Sequence, residues 1–134
     1  MLVSHKYKFI YLKTMKTAGT SVEMFFEPFC LPDPNVKLSE GRDCFEGPTG
    51  IVGARKAGGR KDGYYGHMRA AEVKAAVGGK IWEDYFKFCV IRDPFDKAVS
   101  RFHMKVRMDQ IEVGNGRDDV IHKFRQWIHS GKFI

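Results

Sequence analysis

The feature that most constrains the fold of this chain is one continuous stretch near its start: an apolar run, YKFIYL over residues 7–12, then KTMKTAGTS, then VEMFF. A short aromatic and branched run flanked by charge predicts a strand covered on both faces. The small and hydroxyl residues behind it predict a loop that opens a helix. Such a strand–loop–helix unit aims the first backbone N–H groups of the helix, and its positive end, at the space beyond the strand, where an anion is favoured.

Further along, residues 31–65 dissolve into Pro, Gly and charge, with only residues 50–54 patterned as a short strand. A connection of this length inside one domain is expected to be a functional loop or an insertion, and its position suggests a loop near the ligand. The stretch AAEVKAAV at 70–77 predicts a helix stopped by Gly78 and Gly79. A second buried strand is expected over residues 86–91, FKFCVI, with Cys89 as a small core residue. Asp93 can then cap, and Pro94 begin, a helix whose Ala98, Val99, Phe102 and Val106 share one face. After the turn-like GNGRDD, the residues Val120, Ile121, Phe124, Trp127 and Ile128 predict an amphipathic helix ending at Gly131. Strands alternating with helices, with no internal repeat, predict a single α/β domain over residues 1–134 with parallel pairing.

Composition narrows the partners. With 134 residues, 43% of them apolar and 11 of them Phe, the chain can bury a modest core. A formal charge of +7 suggests an anionic partner. Nucleic acid is not the expected one, because Lys and Arg are spread along the chain without a basic tail or a recognition motif. The absence of a long apolar run and of a signal-peptide pattern predicts a soluble, cytoplasmic chain with no membrane span. Three cysteines without CxxC spacing predict no metal, and Cys30 and Cys44 could pair only in an oxidising compartment. Arg55, Lys56, Arg60 and Lys61 read as a solvated basic loop, and His5, His103, His122 and His129 lack ligand spacing.

The residues with the clearest chemistry are Lys16, Thr17, Ala18, Gly19, Thr20 and Ser21, whose N–H groups and hydroxyls can converge on a phosphate. They do not form the nucleoside-triphosphate loop GxxxxGK[ST]: no glycine stands ahead of Lys16, and the lysine precedes the small residues instead of following them.

KTAGTS after an apolar strand resembles the 5′-phosphosulfate-binding loop of the sulfotransferases, commonly written PKTGGTS or PKTAGTS, with Met15 at the usual proline. The block VIRDPFDKAVSRF, residues 90–102, resembles the family's 3′-phosphate motif, in which an arginine ends a strand and a serine follows eight residues later on the helix; these are Arg92 and Ser100. An arginine there offers a planar fork to a phosphate and the serine adds a hydroxyl, although Arg92 could instead pair with Asp93 or Asp96. Between the blocks, GHMRA at 66–70 is similar to the GH segment of the carbohydrate-sulfotransferase-like branch, where a histidine can serve as base. The resemblance covers roughly residues 9–26 and 65–102, with both motifs in the family's order.

This resemblance implies a P-loop-like three-layer α/β fold with a central parallel sheet. It implies the cofactor 3′-phosphoadenosine-5′-phosphosulfate (PAPS), leaving as 3′-phosphoadenosine-5′-phosphate (PAP), with residues Lys16–Ser21, Arg92 and Ser100 as the binding set and no metal. Lys16 would neutralise charge on the leaving phosphate. His67 would take the proton of a hydroxyl acceptor, a carbohydrate being one candidate, or would serve a purely structural role. The family's catalytic domains are longer, so a C-terminal part is expected to be missing from this sequence or supplied by another chain, a homo-oligomer included. Two other readings stand beside the enzyme: a non-catalytic PAP- or anion-binding fragment, and a P-loop nucleotide kinase, against which the absent GxxxxGK counts.

Overall fold

Five three-residue strands, whose successive side chains point to opposite faces, make the first part of the chain a sheet with helices on both faces. In the computed structural model the described residues are 1–36, 41–55 and 63–131. They form two compact units, Met1–Ile91 and Arg92–Ile134. The first holds β1 (Leu2–Ser4), β2 (Phe9–Tyr11), α1 (Gly19–Phe26), a 3₁₀ turn (Glu27–Phe29), β3 (Phe45–Gly47), β4 (Gly50–Val52), α2 (Ala70–Val77), α3 (Gly79–Asp84) and β5 (Phe86–Phe88). The sheet order is β3-β4-β1-β2-β5.

Successive strand residues point to opposite faces. Leu2, Tyr11 and Val52 pack on one side with Val22 and Phe26 of α1, while Val3, Ile10 and Ile51 pack on the other with Val73 and Val77 of α2 and Ile81 and Trp82 of α3. The register matches this division: Leu2 lies opposite Tyr11 and Val52, and Val3 opposite Ile10 and Ile51. Each such side chain contributes roughly 1.5–3 kcal/mol by burial. A one-residue slip would invert every pair, so the core itself fixes the pairing. Gly50 is required by a close approach, since a Cβ there would lie 2.2 Å from the Val3 carbonyl oxygen.

Several expectations need correction. The sheet is mixed: among the described strands β2 pairs with β5 in parallel, and β1–β2, β1–β4 and β3–β4 are antiparallel. Short connections impose this at β1–β2 and β3–β4, because a few residues can reverse a chain but cannot carry it back to a parallel start. Lys8, at φ 52°, helps turn the chain between β1 and β2. The stretch 31–65, expected as largely structureless, contains the β3–β4 hairpin; its residues 37–40 and 56–62 lie outside the described set. The expected strand 86–91 is regular only at Phe86–Phe88 and ends the sheet order, which leaves Phe86 71% exposed and Cys89 exposed rather than in the core. Cys30 is the buried thiol, pushed up to about 12 by burial.

The second unit contains α4 (Pro94–Arg107) and α5 (Arg117–His129). Asp93 caps α4 as expected, its Oδ1 accepting from the backbone N–H groups of Phe95 and Asp96 at 2.9 and 3.1 Å, a bond set that stabilises such a helix by about 1 kcal/mol. Phe102 and Trp127 are the buried centre of this unit, with Phe124 edge-on to Phe102 at 5.2 Å between ring centroids.

Candidate functional site

The loop between β2 and α1 takes a backbone shape that ordinary residues resist. Lys16 and Ala18 have φ of 61° and 56°, left-handed values that cost a residue with a Cβ on the order of 1–3 kcal/mol each. Left-handed residues on either side of Thr17 give the loop a tight curl, a backbone pattern of the kind from which anion-binding nests are built. Ala18 is also the N-cap residue of α1, and it supplies no side-chain acceptor for the first turn. The first N–H groups of an eight-residue helix therefore lack the capping bond that a Ser or Asp would provide, and they carry the positive end of the helix dipole.

Hydrogen bonds divide the loop's hydroxyls into two kinds. Thr14 Oγ1 donates to the Val90 carbonyl at 2.5 Å, tying the loop to the segment after β5. Thr17 Oγ1 lies 2.9 Å from Thr14 Oγ1 and 3.1 Å from the Thr14 carbonyl. Since the Thr14 hydrogen goes to Val90, the Thr17 hydrogen goes to Thr14, and the buried Thr17 hydroxyl braces the loop. The Thr20 hydroxyl accepts from Lys13 Nζ at 3.2 Å. Ser21 is exposed.

Beneath the loop lies a charge cluster that sequence reasoning missed. Glu23 and Glu27 are fully buried. Glu23 Oε2 accepts from Lys13 Nζ at 2.6 Å, and its Oε1 accepts from the Met1 ammonium at 2.8 Å. Glu27 is paired with both Arg55 and Arg42. The Arg55 side chain is 2% exposed and also lies 3.9 Å from Glu23, so it belongs to this cluster and not to the solvated loop expected for it; Lys56, Arg60 and Lys61 fall outside the described residues. Desolvation pulls the Arg55 pKa below its ordinary value, opposed by Glu23. A sequence signal did exist: two glutamates four residues apart inside the otherwise apolar VEMFFEPF, a spacing that puts both on one helix face.

His67 sits at the rim of the first unit, where its Nδ1 lies 3.2 Å from the Lys13 carbonyl. A carbonyl only accepts, so Nδ1 carries the hydrogen and Nε2 keeps its lone pair. Loss of hydration lowers the His67 pKa below the usual range; the Lys13 and Met1 charges act in the same direction, while the bond to the Lys13 carbonyl and Glu23 oppose it. The structure thus places Lys16, Thr17, Ala18, Gly19, Thr20, Ser21 and His67 in the first unit, with His67 tied to the lead-in of the loop. Arg92 and Ser100 belong to the second unit: Arg92 is exposed, directly ahead of the Asp93 cap, and Ser100 lies half-buried in the second turn of α4.

Among the described residues no group of His, Cys, Asp and Glu is arranged to hold a metal ion, and no helix is long and apolar enough to cross a membrane. Comparison with curated proteins and with solved structures finds no significant match. Among protein families, the one described as the sulfotransferase family matches residues 1–129.

Proposed function

The chain belongs to the sulfotransferase family, and from that premise we propose that it binds PAPS and transfers its sulfuryl group to a hydroxyl acceptor. The observation that carries this reading is the left-handed loop at Lys16 and Ala18 running into a helix start with no side-chain cap, a backbone arrangement suited to a phosphosulfate. Arg92 and Ser100 are assigned to the 3′-phosphate on their spacing and on the chemistry of a guanidinium fork and a hydroxyl.

When bound, PAPS supplies an electrophilic sulfur and a phosphate leaving group. The backbone N–H groups of residues 17–21 hold the 5′ end of the nucleotide, and the Thr20 hydroxyl adds a further donor. Lys16 neutralises the charge that grows on the leaving oxygen as the S–O bond to phosphate breaks, an electrostatic contribution typically worth several kcal/mol of barrier. His67 receives the acceptor's hydroxyl proton at Nε2, the ring being oriented by its Nδ1–H bond to Lys13. A carbohydrate is the acceptor class proposed from the GH segment.

Incubating the protein with sulfur-radiolabelled PAPS and a panel of sugar, steroid, phenol and peptide hydroxyls tests this. Transfer should fall about 10²–10³-fold in Lys16→Ala. Phosphoryl transfer from ATP with magnesium, and none from PAPS, would replace the reading with a nucleotide kinase.

A further inference from the structure

We propose that Lys13 is a positioning residue of the anion loop, directing the Thr20 hydroxyl hydrogen toward the bound 5′-phosphosulfate. The proposal rests on the reading of residues 16–21 as the 5′-phosphosulfate site. An ammonium has three donors and no acceptor, so in the Lys13–Thr20 contact at 3.2 Å the threonine oxygen must accept. Its own hydrogen is then turned away from Lys13, and no acceptor takes it among the described residues. This sets Thr20 apart from Thr17, whose hydrogen is used inside the loop. Accepting from a cation also polarises the hydroxyl and makes it a stronger donor.

Three features hold Lys13 in this role. Its side chain is only 7% exposed, and Glu23, fully buried and one helical turn beyond Thr20, fixes the ammonium at 2.6 Å. Glu23, which also holds the Met1 ammonium, offsets part of the Lys13 charge, and Lys13 acts chiefly through the direction it imposes on Thr20. Gly19 makes room for the stem, because a Cβ at that position would meet Lys13 Cγ at 2.8 Å and Cε at 3.0 Å. The glycine of the loop is thus explained by the lysine beneath it: Gly19 has no positive φ to account for.

The test is a double-mutant cycle on PAP affinity, by calorimetry, with Lys13→Met, Thr20→Val, the double variant and Lys13→Arg, each confirmed folded by circular dichroism. Each single variant should weaken PAP about five- to tenfold. The double variant should be no weaker than Thr20→Val, and Lys13→Arg, which can still donate, should recover most of the affinity. Should Lys13→Met fail to fold because Glu23 Oε2 loses its partner in a buried site, adding Glu23→Gln removes the charge, keeps a carbonyl oxygen for the Met1 ammonium and allows the same comparison. Losses that multiply in the double variant, or a Lys13→Met protein that binds PAP like the wild type while Thr20→Val does not, would overturn the proposal and leave the loop assignment standing. A wild-type protein that binds no PAP would overturn both.

Discussion

Replacing Glu27 by alanine should be among the most damaging single changes in the first unit. Glu27 is fully buried and faces two guanidinium groups, of which Arg55 is 2% and Arg42 19% exposed at the side chain. Deleting the carboxylate takes from Arg55 the carboxylate it pairs with most closely, in a site closed to water, while Glu23, 3.9 Å away, is already shared with Lys13 and the Met1 ammonium. Removing one partner of a buried pair costs about 3–5 kcal/mol, a large part of a domain's total stability of roughly 5–15 kcal/mol. For a unit of this size, 1 kcal/mol moves the melting temperature by about 5 °C, so the expected fall is on the order of 15–25 °C. Arg42→Ala removes one ion-pair partner near solvent and leaves Glu27 paired with Arg55, so a loss of about 1–2 kcal/mol, well below that of Glu27→Ala, is expected. Thermal and urea unfolding of the two variants measure this directly. A Glu27→Ala protein as stable as Arg42→Ala, or within about 1 kcal/mol of wild type, would refute the argument that burial decides the cost.

Two further predictions follow from single titratable groups. The Tyr11 hydroxyl is buried without a hydrogen-bond partner among the described residues, and its pKa is pushed up to about 12, chiefly by burial with Glu23 adding to it. Tyr11→Phe should therefore leave stability unchanged or raise it by about 1–2 kcal/mol in urea unfolding, and a clear loss would reveal a partner for the hydroxyl. The lowered pKa of His67 predicts the pH dependence of transfer. A base works in its neutral form, so kcat/KM should fall as pH drops through a value below the ordinary histidine pKa of about 6.5 and should be flat above it. An acid limb above 7, or one that persists in His67→Gln, would remove His67 from the base role.

The parts of the fold legible in the sequence are those in which one element carries its own signal. α2 occupies the predicted residues 70–77, Asp93 and Pro94 begin α4 as read, and α5 spans the apolar stripe from Val120 to Ile128. Strand pairing was less legible because it depends on contacts far apart in the chain. The LVS of β1 has no alternation to mark it as a strand, and it becomes one by lying between β2 and β4. Cys89 stands in a run that looks buried but belongs to a sheet edge, and edge position is not written in a local pattern. The same limit applies to the site. The loop between β2 and α1 was legible as a motif, whereas its support is not: Lys13, Glu23 and Gly66 are joined through the Met1 ammonium and through Lys13 itself, contacts separated by up to 65 positions. Arg55 reads as a loop cation because its partner, Glu27, is 28 residues away on a helix that looks apolar.

The most direct test of the central claim is calorimetric titration of PAP, without magnesium, into the wild-type protein and into Lys16→Ala and Arg92→Ala. The account predicts saturable wild-type binding that collapses in both variants while their melting curves stay close to wild type. A folded wild-type protein that does not bind PAP, or binding that survives loss of Lys16, would contradict it.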